Sequence, residues 1–154
     1  MADFVLHVNG KERAVTVDPE CPVLYVLADT LELNGPKFGC GLAQCGSCTV
    51  LMDGEPYRSC VLPVAEAKGK IVTLEGLGTT EAPHPIQRAF IEEQALQCGF
   101  CASGPVLYGK ALLDKNPGAS EAQIEKALDG LLCRCYAHTR MVKALASYAR
   151  EVKP

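Results

Sequence analysis

The chain has 154 residues, of which 48% are hydrophobic and 21% charged, as expected for one globular domain or two small ones. Its formal net charge of −3 gives no electrostatic reason to expect binding to nucleic acid or to an anionic membrane. No apolar run reaches the ~20 residues of a membrane span, and the N-terminus does not resemble a signal peptide. We expect synthesis in the cytoplasm; export together with another protein, which would place the chain in the periplasm, would leave no trace here.

The first half of the chain is predicted to be a small α+β unit. Alternation over residues 3–8 places Phe4, Leu6 and Val8 on one face of a strand, Asn9-Gly10 favours a tight turn, and extended character resumes over residues 14–17. Apolar residues at helical spacing predict a helix over residues 23–33, which Asn34-Gly35-Pro36 ends. Further strands, two of them joined at Asp53-Gly54, are predicted over residues 49–52, 56–58 and 71–74.

The second half is predicted to be helical. Residues 76–85, GLGTTEAPHP, are rich in Gly, Thr and Pro, so we place the domain boundary there. We expect a first domain over residues 1–76, a linker over 77–85 and a second domain over 86–154. Four helices are predicted, over residues 86–95, 102–115, 120–131 and 139–152. Ser120 and Gln123 form a capping box at the start of the third. The fold class is therefore α+β.

Cysteine is the unusual feature of the composition. The chain has nine cysteines, an odd number, and no visible secretory signal. Reducing compartments do not maintain disulfides, so metal or redox chemistry is favoured over a disulfide framework.

The first cysteine group has the spacing C-x4-C-x2-C-x11-C and consists of Cys40, Cys45, Cys48 and Cys60. Its first three members have the spacing of the plant-type ferredoxin loop, which binds a [2Fe–2S] cluster. Three glycines allow the backbone to wrap closely with its N–H groups inward: Gly39, Gly41 and Gly46. Structural zinc more often uses two C-x2-C-like pairs, and buried free cysteines would not require glycines between them.

The second cysteine group has the spacing C-x2-C-x31-C-x-C and consists of Cys98, Cys101, Cys133 and Cys135. Alone, QCGFC could be a thioredoxin-like redox pair, but it does not follow a strand of a βαβ unit. The first pair falls where the second predicted helix begins, and the C-x-C pair falls between the third and fourth. Residues two apart on a helix point to nearly opposite sides, so C-x-C converges only in a non-helical turn. The spacing predicts a four-thiolate metal site and leaves iron–sulfur and zinc both open.

Taken together, the two groups resemble the two-cluster iron–sulfur subunit of the xanthine oxidase family of molybdenum hydroxylases. The residues that carry the resemblance are KFGCGLAQCGSC (37–48), RSC (58–60), LQCGFC (96–101) and LCRC (132–135). The resemblance covers essentially the whole chain and is strongest to the separate small subunits of bacterial isoquinoline oxidoreductase and of nicotinate and aldehyde dehydrogenases.

This resemblance implies a plant-ferredoxin-like (β-grasp) N-terminal domain that holds one [2Fe–2S] cluster through the first cysteine group. It also implies an all-α four-helix domain that holds a second [2Fe–2S] cluster through the second group, with Gly39, Gly41, Gly46 and Gly99 in the cluster environment. Gln97 would hydrogen-bond the pterin of a large molybdopterin-binding partner subunit, and Cys135 would lie on the pterin side of the electron path.

The function so implied is electron transfer within an oxidoreductase complex. Electrons would pass singly from the molybdopterin centre through the two clusters to FAD on a third subunit or to a cytochrome c. The chain has no G-x-G-x-x-G fingerprint, so we expect it to bind no FAD itself, and we expect no catalytic residue or substrate site in it. The alternatives are a free-standing two-cluster electron carrier and a zinc-stapled interaction module.

The sequence departs from the family pattern at one position. The family commonly continues CRC with Gly, whereas this chain has Tyr136, which puts the local backbone geometry in question without removing a ligand. His138 is expected to be a surface or capping residue, and His7 and His84 receive no role. Cys21 is expected to be a small, partly buried residue before a helix.

Overall fold

A five-stranded mixed sheet forms the first half of the chain in this computed structural model, which describes residues 1–152. The strand order is β2-β1-β5-β3-β4; β1 and β5 pair in parallel, and the other neighbours are antiparallel. The strands are β1 (Ala2–Val8), β2 (Lys11–Val17), β3 (Thr49–Met52), β4 (Glu55–Arg58) and β5 (Lys70–Val72). All the predicted strands are present, although β5 ends early because Leu74–Gly76 turns as a 3-10 helix.

Two tight turns set the register of the hairpins. Asn9 and Gly10 have φ values of 51° and 75°, and Asp53 and Gly54 have values of 51° and 84°. A two-residue turn with positive φ at both positions matches the twist of the strands that it joins. Both predicted hairpins are therefore confirmed, and the second one returns the chain to Cys60.

The helical segment after β2 is shorter and wider than predicted. Helix α1 (Val23–Tyr25) passes into a π-helical turn over Val26–Thr30, where the N–H of Leu31 bonds to the carbonyl of Val26. Glu32 then adopts φ 57°, which ends the helix before residue 33, the end predicted from the sequence.

Four helices form the second half, as predicted: α2 (Pro85–Glu92), α3 (Ser103–Lys115), α4 (Glu121–Leu128) and α5 (His138–Val152). The capping box of Ser120 and Gln123 is present at the start of α4. α2 and α4 end before the predicted residues 95 and 131, and left-handed residues follow each, Gln94 and Gly130.

Each half has its own apolar core, and a third cluster joins them. One core lies between the sheet and the α1 segment, and the other lies among the four helices. Leu51 of β3 packs against Leu107 and Ala111 of α3, so that α3 lies on the sheet. Ser103 at the start of α3 donates a 2.8 Å hydrogen bond to the carbonyl of Gly35. Within residues 1–152, no helix is long and apolar enough to cross a membrane.

Candidate metal centres

The loop before β3 and the β3–β4 hairpin bring the first cysteine group together. Cys40, Cys45 and Cys48 lie on the loop, which the 2.9 Å bond from Lys37 N–H to the Ser47 carbonyl closes. The hairpin register returns Cys60 beside the loop, where the hydroxyl of the adjacent Ser59 donates a 2.6 Å hydrogen bond to the carbonyl of Cys48.

Backbone N–H groups surround the sulfur of Cys40. The N–H groups of Leu42, Cys45 and Gln44 each lie 3.3 Å from this sulfur. Because N–H dipoles favour the thiolate, with Leu42 contributing most, they lower the pKa of Cys40 to about 6. A Cβ at Gly39 would lie 2.7 Å from the sulfur of Cys45, so this cradle requires glycine there.

The four thiols of the first group stand as two pairs. The thiol of Cys45 helps to lower the pKa of Cys40, and Cys48 packs with Cys60 in one buried cluster. Cys48 is only 2% exposed, and burial raises its pKa to about 11. Cys48 and Cys60 are therefore buried together with Leu24 of α1, while Cys40 lies nearer the surface.

The second cysteine group is built from the start of α3 and the segment between α4 and α5. Cys98 is exposed and Cys101 is buried, and Gly99 between them has φ 77°. The N–H of Phe100 lowers the pKa of Cys98, whereas burial and, to a smaller extent, the Cys133 thiol together raise the pKa of Cys101 to about 12. Cys101 thus pairs with Cys133, and Cys98 pairs with Cys135.

The C-x-C segment lies in a non-helical turn, as its spacing required. The N–H of Tyr136 closes this turn with a 3.1 Å bond to the carbonyl of Cys133. His138, at the first position of α5, places Nε2 2.9 Å from the carbonyl of Leu131, so it anchors the segment from the other side.

The thiols fit binuclear clusters. Each group presents two thiol pairs, and a [2Fe–2S] cluster has two irons to share among four thiolates. The N–H groups directed at Cys40 and Cys98 supply the charge-stabilising contacts that such an anionic cluster needs.

The two sites adjoin each other through backbone. The N–H of Leu132 donates a 2.9 Å hydrogen bond to the carbonyl of Cys45, which joins a neighbour of Cys133 to the first group. Gly46 makes this approach possible, because a Cβ there would overlap the side chain of Leu131.

Several residues outside the two thiol sets complete the region. Gln97 is exposed beside Cys98, and it lines an open cavity of about 650 Å³ together with Arg140. Tyr136 adopts φ 55°, the left-handed conformation that a glycine would take there, and is 81% exposed. Cys21 is partly buried directly before α1.

Two structural roles escaped the sequence analysis. The ring of His84 accepts a 3.2 Å hydrogen bond from the N–H of Ile86 and caps α2. Gln87, three residues after His84, completes a capping box and could have indicated this role. Arg58, which belongs to the RSC motif, reaches into the loop of the first site, and no local signal indicated that contact.

A ferredoxin-like sheet with a thiol-bearing loop, joined to a helical unit with a second set of four thiols, defines the class of two-centre iron–sulfur proteins. Residues 6–74 match the family model described as "2Fe-2S iron-sulfur cluster binding domain". Residues 73–146 match the one described as "[2Fe-2S] binding domain". The expectation of two [2Fe–2S] clusters is thereby confirmed.

Relatives of the chain are named as components of oxidoreductases. The chain is 52% identical to one of the nicotinate dehydrogenase subunits of Pseudomonas putida, covering 91% of this chain and 90% of that one. It is 47% identical to the alpha chain of isoquinoline 1-oxidoreductase from Brevundimonas diminuta, covering 98% and 99%. The aldehyde oxidoreductase of Desulfovibrio desulfuricans superposes with a TM-score of 0.94 at 36% identity over 99% of this chain, which spans 17% of that longer chain.

The chain belongs to the family of small two-[2Fe–2S] iron–sulfur subunits of the molybdenum hydroxylases, also called the xanthine oxidase family. The family and the fold class expected from the sequence are both confirmed.

Proposed function

We propose that this chain is the electron-transfer subunit of a molybdenum-dependent hydroxylase or dehydrogenase complex. The observation that carries the proposal is the 2.9 Å hydrogen bond between Leu132 and Cys45, which sets the two thiol sites side by side. When bound, each [2Fe–2S] cluster takes up and releases one electron at a time, so two in series carry the electron pair of one turnover singly from a molybdopterin centre to an acceptor. The names of the relatives as subunits favour such a complex over a free-standing carrier.

The ligands that we propose are the two cysteine groups found in the sequence. Cys40, Cys45, Cys48 and Cys60 would hold the first cluster, and Cys98, Cys101, Cys133 and Cys135 the second. The paired thiols and the N–H groups around Cys40 support the first set. The pairing of Cys98 with Cys135 and of Cys101 with Cys133 supports the second. Of the glycines in the cluster environment, Gly39 lies against the sulfur of Cys45, and Gly41, Gly46 and Gly99 adopt the positive φ that their turns require.

The second site faces the molybdopterin-binding partner in this proposal. Gln97 and Cys98 are both exposed, which leaves the amide of Gln97 free to hydrogen-bond a pterin held by the large subunit. Cys135 is partly exposed and its thiol acts on the pKa of Cys98, which places it near the same surface. We assign this chain no catalytic residue, and the large subunit would select the substrate.

The acceptor, the compartment and the domain limits belong to the same proposal. FAD on a third subunit, or a cytochrome c, would receive the electrons at the first site. We keep residues 1–76 and 86–154 as the two domains with a linker over 77–85. Synthesis would occur in the cytoplasm, and co-export with a partner would place the complex in the periplasm.

Purification of the native complex through a tag on this chain tests the proposal. We expect a large subunit to co-purify with molybdenum and pterin, and iron to be present at four atoms per copy of this chain, the content of two [2Fe–2S] clusters. A protein that holds iron but purifies alone, and transfers electrons alone, would favour the free carrier. Zinc without iron in a colourless anaerobic preparation would refute both redox functions.

A further inference from the structure

Arg58 contacts the loop that carries the first thiol group. It is the last residue of β4, and its side chain is partly buried. Its Nε donates a 3.2 Å hydrogen bond to the carbonyl of Ala43, and its Nη1 donates a 2.7 Å hydrogen bond to Oγ1 of Thr49. The guanidinium carbon lies 4.9 Å from the centre of the Tyr108 ring on α3. Three elements therefore fix the position of one cation.

This cation lies where the two sites meet. A Cβ at Gly46 would come 2.7 Å from Nη1 of Arg58 and would overlap Leu131, so the glycine leaves room for both side chains. Ala43 lies between Cys40 and Cys45, and Thr49 directly follows Cys48, so both hydrogen bonds of the guanidinium are to residues that adjoin the first thiol group. Tyr108 is its contact in the helical half.

The charge of Arg58 has no counter-charge among these contacts. Its partners are a carbonyl, a hydroxyl and an aromatic face, all uncharged, and an arginine side chain is a permanent cation in proteins. Partial burial reduces screening by water. Reduction adds one negative charge to an iron–sulfur cluster, so a fixed cation stabilises the reduced state of the cluster nearest to it.

We propose that Arg58 raises the reduction potential of the cluster at the first site relative to that at the second, and thereby directs electrons from the helical half to the ferredoxin-like half. This role rests on the proposed function, because it requires a cluster at each site. Arg58 acts through the electrostatic field of its positive charge, which shifts the reduction potential, and it is not a ligand of the cluster.

Redox titration of the full chain with both clusters, followed by EPR, tests the role in Arg58→Gln and Arg58→Lys. We expect Arg58→Gln to lower the midpoint potential of the first-site cluster by more than that of the second-site cluster. The first-site signal is identified as the one that Cys45→Ser removes. Arg58→Lys keeps the charge and should shift this potential less, although both variants lose the planar hydrogen-bonding fork and the same kind of packing. Thermal unfolding of the two variants, measured in parallel, separates loss of packing from loss of charge.

A second pair of variants leaves Arg58 in place. Tyr108→Glu and Tyr108→Gln are similar in shape, but only the first sets a carboxylate beside the guanidinium. We expect a lower first-site potential in Tyr108→Glu than in Tyr108→Gln.

Two results with the Arg58 variants would overturn the role: an unchanged first-site potential in Arg58→Gln, or equal shifts of that potential in Arg58→Gln and Arg58→Lys. If Arg58→Gln does not assemble its clusters, equal first-site potentials in the two Tyr108 variants would overturn it. The potentials are measured on this chain alone. Failure of the molybdenum partner to co-purify would refute the proposed function and leave this measurement intact.

Discussion

At the residue scale, position rather than chemistry distinguishes the cysteines of this chain. Cys45 lies in the first thiol set, and its N–H also faces the sulfur of Cys40. Cys21 is equally a free cysteine, but it packs at the edge of the sheet core, with its thiol 3.7 Å from the carbonyl of Pro22. Replacement by serine should therefore remove a cluster at Cys45 and leave both clusters in place at Cys21.

We expect Cys45→Ser to remove one of two EPR signals from the reduced protein, because a serine hydroxyl is a poor substitute for a thiolate on iron. The iron content should fall towards that of one cluster. Cys21→Ser is the matched control and should retain both signals. Two intact signals in Cys45→Ser would contradict the first ligand set.

Tyr136 carries backbone strain that glycine would relieve. Its φ of 55° lies in the left-handed region, where an L-residue pays roughly 1–2 kcal/mol relative to its favoured conformations. The side chain is 81% exposed, so its removal forfeits little packing. We expect Tyr136→Gly to keep both clusters and to be at least as stable as the parent, with the extra freedom of glycine in the unfolded chain offsetting part of the gain.

Tyr136→Val supplies the contrast, since a β-branched side chain is least tolerated at positive φ. The free energy of unfolding of the valine variant, measured by thermal unfolding, should be lower than that of the glycine variant by about 1 kcal/mol or more. A valine variant as stable as the glycine variant would show that the backbone there relaxes out of the left-handed conformation.

The candidate ligands could be predicted from the sequence, but the residues that contact their loop could not. Cysteine spacing and adjacent glycines are local, so Cys40, Cys45 and Gly46 could be recognised directly. Arg58 could not be, because its contacts reach back to Ala43 and forward to α3, and only the folded chain brings these together.

At the element scale, helix α2 depends on an unusual N-cap. The neutral ring of His84 accepts the N–H of Ile86 at 3.2 Å, and it packs edge-on against Tyr148 of α5. Burial lowers the pKa of His84 below 6.5, and the nearby Lys110 lowers it further, while Asp114 acts in the opposite direction. The ring therefore resists the proton that would destroy its acceptor.

This cap predicts a pH-dependent stability. Below pH 6.5, the unfolded chain takes up a proton at His84 before the folded chain does, so stability is full above that value and falls as the pH decreases through the folded pKa. Thermal unfolding on both sides of pH 6.5 measures the effect. His84→Asn keeps an acceptor that does not titrate, so its stability should depend less on pH. An identical pH dependence in the two proteins would exclude His84 as the source.

The helix after β2 shows where element prediction from sequence ends. Apolar spacing located the segment correctly, since Leu24 and Leu27 are both buried. The spacing of apolar residues does not predict that the helix widens into a π-helical turn. Nor does it predict the hydrogen bond from the N–H of Leu33 back to the carbonyl of Leu27, which forms after the chain reverses at Glu32. Both features depend on backbone groups that meet only in the folded chain.

At the scale of the whole molecule, the two halves act as one scaffold for the two sites. The sequence separated a strand-rich half from a helical half but could not predict how they pack, because the contacts between them are single residues far apart in the chain. Leu107 of α3 is fully buried against Leu51 of β3, and the Leu132–Cys45 hydrogen bond lies between the sites. We infer that this apolar packing helps to set the distance between the two sites.

Leu107→Ala tests this arrangement against Leu113→Ala, the same substitution on the same helix. Leu107 faces the sheet and Leu113 faces the helical core, and the exposed fractions are 0% and 1%. Each substitution should cost about 2–5 kcal/mol, seen as a lower unfolding temperature. Only Leu107→Ala should also change the magnetic coupling between the two reduced clusters, because dipolar coupling depends steeply on distance and only this cavity lies between the halves. Equal coupling in both variants would mean that the backbone contact at Leu132 holds the sites in place without the apolar interface.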